Sequence, residues 1–327
     1  MERLLGIDIG VYKTTITLGI DRGDGNVVIA DKLIIDTEAQ RGPAYCLNKI
    51  FDNSNRLLAN NRLSSISLCA VGLSCSGVLD CKKGILLTAS NMPGWENTPI
   101  AAVAESRLRT KAYLQNDANS CALAEWKFGN GKPYHDMVCL TFNYGMGAGL
   151  ILNNRLYTGH SFMAGEIGHI RLERIGPSGN GKIGSFEGFC SDSGIKQLAQ
   201  TIVLERLQAG KKVSFCSSVE LLQSFSGWDV FEACKRGDEV ARHIVGIIAN
   251  YLGRGIATMI DMLNPEAVII GGIFNQYSDV LMEPLMETIR SEALERSAEA
   301  CVILPTGLGD KMCDYSALAV AYNAIHE

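Results

Sequence analysis

Apolar residues first come in short unbroken runs and later as a helical stripe. Residues 4–9 are an apolar run that ends at Gly10, the pattern of a buried strand. Residues 15–20 are rich in β-branched side chains, and Asp24-Gly25-Asn26 marks a turn before a third strand over 27–35. The chain therefore opens as a β-meander. Residues 44–58 carry Leu47, Ile50, Phe51 and Leu57 at helical spacing. A strand is expected over 65–74, closed by Cys75-Ser76-Gly77, then a helix over 100–106 and a strand over 111–115 that ends at Asn116-Asp117. A meander followed by helix–strand alternation predicts a mixed α/β sheet flanked by helices.

A second, similar unit follows. Strands are expected over 137–142 and 150–152, around a Gly-rich turn at Gly145-Met146-Gly147-Ala148-Gly149, with a hairpin tip at Asn153-Asn154-Arg155. Residues 178–184 look like the loosest loop. Residues 195–207 and 238–263 read as helices, the second with Ala241, Ile244, Val245, Ile248, Leu252, Ile256 and Met259 on one face. Asn264-Pro265-Glu266 ends it, because proline disfavours helical backbone in the residue before it. An apolar strand over 267–270 runs directly into Gly271-Gly272, and an amphipathic helix over 316–325 is expected to pack back on the first domain. Strand, Gly turn, strand and hairpin occur near Asp8-Gly10 and again near Tyr144-Gly149. The expected division is a smaller domain of residues 1–116 plus 309–327 and a larger one of 117–308.

Composition narrows the class. With 327 residues and 47% hydrophobic content, the chain is long enough for two cores. The net charge of -5 and the lack of a basic block disfavour a nucleic-acid surface. The 11 cysteines form no Cys-x-x-Cys pair and their number is odd, which argues against a secreted disulfide framework. No export segment follows Met1-Glu2-Arg3 and no run reads as a membrane span, so a reduced, cytoplasmic protein with no membrane partner is expected.

The candidate chemistry lies in Gln115-Asn116-Asp117-Ala118-Asn119, in Gly165-Glu166-Ile167-Gly168-His169 and at Glu187. An acid beside an amide, then further acids and a histidine in a Gly-rich setting, suit a polyol pocket. One group takes a hydroxyl proton and the others hold its neighbours. The Gly turns at Gly10, Gly145–Gly149 and Gly271-Gly272 would let backbone approach phosphate. Each piece has a plainer reading. Asp117 alone could cap the next helix, Glu166 and His169 could sit in a turn, the glycines could serve a hairpin, and Lys13 could be a solvated charge. Trp95 suits packing better than sugar stacking. The order of the pieces favours ATP-dependent phosphorylation of a sugar.

The order Asp8-Ile9-Gly10, Asn91-Met92-Pro93-Gly94-Trp95, Asn116-Asp117-Ala118-Asn119, Gly145-Met146-Gly147, Ala164-Gly165-Glu166-Ile167-Gly168-His169 and Gly271-Gly272 resembles the ROK family of sugar kinases and sugar-responsive repressors. The resemblance covers nearly the whole chain, and the Ala-Gly-Glu-Ile-Gly-His run is its most specific part. It implies the actin-like (ribonuclease H-like) ATPase fold, with two domains around a cleft. It also implies roles. Asp117 matches the catalytic base. Asn116, Glu166, His169 and Glu187 match positions that bind sugar hydroxyls, and Asn91 lies in a loop that closes over the sugar. Asp8 matches the acid near metal and phosphates. Gly10, Gly145 and Gly147 match phosphate-loop glycines, Lys13 is a candidate phosphate contact, and Gly271 and Gly272 match the adenosine-side turn.

Three departures stand out. Asp-x-Gly-Gly-Thr of the family becomes Asp8-Ile9-Gly10-Val11-Tyr12, and Gly-Thr-Gly becomes Asn143-Tyr144-Gly145. The adenosine turn has Ile273 in place of a third glycine. The family's zinc-binding Cys-x-Cys-Gly-x-x-Gly-Cys-x-Glu frame survives, but Ser178, Asn180 and Ser185 stand where its cysteines would be. Hydroxyl and amide are poor zinc ligands beside thiolate, so no structural zinc is expected and hydrogen bonds should hold the loop. The expected function is phosphorylation of a hexose or hexose derivative with ATP and Mg2+, by a homodimer. The alternative is a sugar-binding regulator with lost transfer chemistry. A two-carboxylate glycan hydrolase leaves the Gly turns unexplained. Family repressors carry a DNA-binding domain ahead of the first strand; the chain begins at that strand, so no nucleic-acid partner is expected.

Overall fold

The computed structural model describes residues 1–89 and 91–326. In chain order the elements begin with β1 (Glu2–Ile9), β2 (Lys13–Asp21), β3 (Val27–Asp36), α1 (Pro43–Asn60) and β4 (Ala70–Cys75). Then come β5 (Val78–Asp80), β6 (Ile85–Thr88), α2 (Ile100–Leu108), β7 (Ala112–Asn116) and α3 (Asp117–Phe128). β8 (Met137–Phe142), β9 (Met146–Leu152), β10 (Arg155–Leu156), β11 (Ser178–Gly179) and β12 (Lys182–Ile183) follow. The remainder is α4 (Phe186–Phe189), α5 (Asp192–Gln208), α6 (Gly227–Lys235), α7 (Glu239–Leu263), β13 (Ala267–Ile270), α8 (Ile273–Glu292), α9 (Glu295–Ala300), β14 (Val302–Pro305) and α10 (Met312–His326). Two compact units result. One comprises Met1–His135, Gly149–Gly165 and Gly307–Glu327; the other comprises Asp136–Ala148 and Glu166–Thr306.

The first unit is built on a sheet of order β3-β2-β1-β4-β7. The meander β1-β2-β3 is antiparallel, whereas β4 runs parallel to β1 and β7 parallel to β4. Alternation along β1 assigns its faces. Leu5, Ile7 and Ile9 join Leu47, Ile50 and Phe51 of α1 and Ile100 and Ala104 of α2 in one core. Leu4 joins Leu318 and Ala321 of α10 on the other face. Central strands apolar on both faces follow from being covered on both. Glycine allows α10 to lie close: a Cβ on Gly72 would stand 1.9 Å from the Ala317 carbonyl oxygen, and one on Gly6 would stand 2.7 Å from the Leu318 nitrogen.

The second sheet has the order β10-β9-β8-β13-β14. Strand β13 is parallel to both β8 and β14. Helix α7 supplies the main apolar face of the second unit, with the seven positions of its predicted stripe buried and α6, α8 and α5 packed on it. By length and composition α7 reaches the threshold of a membrane span, contrary to expectation, but 61% of its apolar window is buried inside the protein. Its hydrophobicity is thus used by the core. Asn264 closes it in left-handed conformation at φ 45, ahead of Pro265.

Three local expectations are corrected. The strand expected over 65–74 begins at Ala70, because Ser65–Ser67 closes into a 3-10 turn in which the Ser67 hydroxyl donates to the Ser64 carbonyl at 2.6 Å. The Gly-rich turn expected over 145–149 is confined to residues 143–145, and Gly147 and Gly149 lie inside β9. A Cβ on Gly149 would stand 2.4 Å from the Ala122 methyl, so that glycine serves packing against α3. Residues 178–184 are an ordered two-strand hairpin whose tip is Asn180 at φ 45 and Gly181 at φ 75.

The seating of α10 is testable. Gly72→Ala forces a methyl into helix backbone that cannot rotate away, and it should cost about 3 kcal/mol of unfolding free energy in urea titration. An unchanged midpoint would mean that α10 does not lie against β4.

Candidate active site

In the first unit the chemistry gathers at the carboxyl ends of three neighbouring strands, where open α/β sheets place ligands. Parallel register sets Asp8 beside Ser74, Ser74 beside Gln115, and Cys75 beside Asn116. Asn116 then turns the chain into α3. Its side-chain oxygen accepts from the amides of Ala118 at 2.9 Å and Asn119 at 3.3 Å, the bonds of an N-cap. The cap is therefore Asn116, and Asp117 occupies the first helical position. Asp117 Oδ1 accepts from the Ala118 amide at 3.0 Å and Oδ2 accepts from the Ser76 hydroxyl at 2.6 Å. Both oxygens are thus aimed. Asn116 Nδ2 donates to the Gly77 carbonyl at 3.3 Å, which leaves it one further hydrogen to offer.

Asp8 lies next to this carboxylate. Burial pushes its carboxyl up to about 6, and the Asp117 charge acts in the same direction. The hydroxyls of Ser74 and Ser316 and the Cys313 thiol oppose the rise without cancelling it. Ser74 Oγ makes no hydrogen bond of ordinary geometry to any described residue. Cys75 is buried in the same field and its thiol is driven upward, first by burial and then by Asp117 and Asp8. Two carboxylates at the carboxyl end of one sheet suit a hard, oxygen-seeking cation such as Mg2+, which would relieve their repulsion.

The first loop is tight. The Gly10 amide donates to the Lys13 carbonyl at 3.0 Å, and a Cβ on Gly10 would stand 2.7 Å from that oxygen. Thr37 binds the loop from β3's end. Its hydroxyl donates to the Gly10 carbonyl at 2.7 Å and its amide to the Tyr12 carbonyl at 2.8 Å. Lys13 is exposed at the start of β2, and Asn91 is exposed at the start of the 91–95 loop. In that loop Trp95 is fully buried, its indole N–H donating to the Ala39 carbonyl, as a packing residue does.

In the second unit the bend at 143–145 is held from within. The Asn143 amide donates to the Gly145 carbonyl at 3.1 Å and the Gly147 amide to Thr141 Oγ1 at 3.1 Å. The Met146 amide donates to Glu187 Oε2 at 3.2 Å. Gly168 is needed where it stands: a Cβ there would be 2.2 Å from the Met146 carbonyl oxygen and 3.3 Å from Glu187 Cβ. Glu166 precedes the 3-10 turn Ile167–His169 and His169 ends it, and both are exposed. Gly272, at φ 65, opens α8, and a Cβ on it would stand 2.0 Å from the Phe142 carbonyl and 3.2 Å from Asn143 Cβ. The Gly271-Gly272 turn and the 143–145 bend are thus neighbours. Tyr12 and Tyr144 are 78% and 73% exposed, so neither ring fills its loop.

The residues at the zinc frame do not fit zinc. Ser185 Oγ is buried and accepts from the Gly188 amide at 3.0 Å as the cap of α4. Ser178 exchanges two hydrogen bonds with the Gln197 side chain, each 3.0 Å. The Ser178 bonds come from its backbone amide and carbonyl, the Ser185 hydroxyl is engaged as a helix cap, and the frame offers hydroxyls and an amide with no thiolate among them. Among described residues, one group of three acid or imidazole side chains converges closely enough to share an ion, Glu2, Asp21 and His326. Glu2 begins β1 and Asp8 is near its end, about 20 Å along an extended strand. His326 instead pairs with Asp21 at 3.0 Å. Ser76 and Thr37 were not anticipated as site residues. A serine just past a strand end was the available sign for Ser76; nothing in the sequence marked Thr37.

The fold is that of the actin-like ATPases, with two sheets and two units. A family model described as ROK family matches residues 4–323, and the chain belongs to the ROK family. It is 32% identical over 308 residues to a glucokinase of Halalkalibacterium halodurans, covering 94% of this chain and 91% of the relative. It is 26% identical over 291 residues to a xylose repressor of Caldicellulosiruptor bescii, covering 89% of this chain and 70% of that one. It superposes with a TM-score of 0.77 and 25% identity on a ROK family glucokinase from Streptomyces griseus in complex with glucose and AMPPNP, covering 98% and 99% of the two chains.

The raised Asp8 carboxyl predicts a pH signature. Unfolded, the group ionises near 3.8; folded, near 6. The unfolded state therefore releases its proton first as pH rises, and the fold loses stability across that window. Above about pH 7 the penalty is complete, at most about 3 kcal/mol for a shift of roughly two units. Asp8→Asn should raise unfolding free energy near pH 8 and leave it unchanged near pH 3.5. Equal gains at both values would refute the assignment.

Proposed function

We propose that this protein transfers the γ-phosphoryl group of ATP to a hydroxyl of a hexose or hexose derivative, with Asp117 as general base. That the chain is a sugar kinase follows from its family and from its likeness to glucokinases over nearly its full length. The observation that supports the catalytic assignment is the Ser76–Asp117 hydrogen bond at the start of α3. With the Ala118 amide on the other oxygen, the carboxylate has one direction. A base must be aimed before it is useful. In this reading Asp117 takes the hydroxyl proton as the sugar oxygen bonds to phosphorus, and the bond to ADP breaks with its electron pair on ADP.

The other assignments follow the family positions. Asn91, Asn116, Glu166, His169 and Glu187 hold the remaining sugar hydroxyls. Gly10, Lys13, Gly145 and Gly147 border the phosphates, and Gly271 and Gly272 the adenosine. Asp8 would hold Mg2+, which supplies charge neutralisation on the phosphates when bound. A soluble cytoplasmic homodimer completes the reading, and light scattering tests the dimer.

A second reading has support of its own. The Gly10, Met146 and Gly147 amides are all bonded within the protein, one of them to a carboxylate. A sugar-binding regulator without turnover fits loops closed in this way, and the repressor relative belongs to the same family.

A coupled ADP-release assay with ATP, Mg2+ and a panel of hexoses and N-acetylhexosamines separates the two. Turnover with one sugar is expected. Asp117→Ala should lower kcat by about a thousandfold and leave the sugar Kd within about threefold, since general base chemistry acts on the transition state. Undiminished turnover in that variant would remove Asp117 from its role. Absence of turnover with every sugar, joined to absence of ATP binding by titration, would leave the regulator.

A further inference from the structure

Glu187 stands at two places at once. Its Oε2 accepts the Met146 amide at 3.2 Å and lies 3.1 Å from where a Cβ on Gly145 would be, so the carboxylate rests on the 143–145 bend itself. The same side chain borders the Gly165–His169 motif, since Gly168 is wedged between the Met146 carbonyl and Glu187 Cβ. Its backbone is fixed. Ser185 caps α4, and Phe186, fully buried, packs where a Cβ on Gly255 would meet its ring at 2.4 Å. Movement of Glu187 is therefore movement of its side chain alone.

An anion on a phosphate-binding bend works against nucleotide. The Asn143 and Gly147 amides are also occupied, by Gly145 and Thr141. A phosphate oxygen arriving there meets a bonded amide and a charge of its own sign. A sugar hydroxyl is a neutral donor that a carboxylate accepts readily. We propose that Glu187 couples the two substrates: its carboxylate screens the 143–146 bend, and a sugar hydroxyl that engages it releases the Met146 amide for phosphate. The proposal rests on the kinase reading and adds to it an order of binding, sugar before ATP. It makes the coupling reciprocal, so nucleotide must tighten sugar by the same factor.

The test is titration of AMPPNP with Mg2+ into sugar-free, full-length protein at low ionic strength, for wild type, Glu187→Gln and Glu187→Ala. Adenosine serves as the ligand without phosphates. Both variants should bind AMPPNP about tenfold tighter than wild type, with adenosine affinity unchanged, because only the phosphates meet the carboxylate. The difference should shrink as salt screens it. Thermal unfolding identifies a variant that has failed to fold, and the other then carries the comparison. Equal or weaker AMPPNP binding in the folded variants overturns the proposal, as does AMPPNP binding by none of the proteins. Failure of the kinase reading is a separate event, seen as absent turnover with every sugar. With a sugar that supports turnover, wild-type AMPPNP affinity should rise about tenfold and that of the variants should not.

Discussion

The start of α3 is the constraint on which the first half of the site depends. Strand β7 ends at Asn116, paired with Cys75 at the end of its parallel neighbour β4, and the Asn116 side chain closes the free amides of the second and third helical residues. Unmade, those bonds would leave buried donors at a cost of about 1–3 kcal/mol each. The cap fixes the direction of the first helical residue, Asp117, and brings it to Ser76 across the strand ends. The far end of α3 is pinned as firmly. Glu125 is fully buried, and its two oxygens accept the amides of Asn130, Gly307 and Leu308. The segment that returns the chain to the first unit is thereby tied to the helix that carries the candidate base.

Charge is the second organising fact. The chain is mildly acidic, and three carboxylates stand where phosphates are expected: Asp8 and Asp117 at the strand ends, Glu187 on the second bend. Lys13, the cation nearest in sequence to the first bend, is exposed. An anionic substrate therefore finds local fields of its own sign. Two routes relieve this. A divalent cation would answer the Asp8–Asp117 pair, and a neutral hydroxyl donor would answer Glu187. In the proposed reading, residues that would hold a sugar and a metal would also govern when nucleotide is admitted.

Much of the fold was legible because burial follows period. The strands over 4–9 and 267–270 were found as apolar runs, and α7 as a stripe at helical spacing. Elements without such a pattern were given no bounds. Helix α3 is rich in small residues and buried on more than one side, so no stripe marks it. Helix α8 contains Pro284 and departs from helical backbone at Tyr277, which conceals its length. The glycines of β9 looked like a turn because the close approach of Ala122 cannot be seen in a sequence. The candidate site follows the same rule. Asp117, Asn116 and Glu187 lay in recognisable strings, whereas Ser76 reaches Asp117 across 41 positions and acquires its role only through sheet register.

The hairpin over β11 and β12 is closed without thiolate ligands. A thiolate set closes such a loop through one shared ion; here separate local bonds do so. Asn180 and Gly181 take the left-handed conformations that a two-residue turn needs. Gln197 clasps Ser178 at both amide and carbonyl, and the Lys182 ammonium binds the His169 carbonyl at 2.7 Å. Ser185 carries the most consequence. Where the resemblance sets a cysteine, its hydroxyl starts α4, and the next residue but one is Glu187. A hydrogen-bonded cap is weaker than a metal–thiolate cluster but is as directional. The Glu187 backbone, and with it the carboxylate that accepts the Met146 amide, is placed by this serine cap together with the buried Phe186.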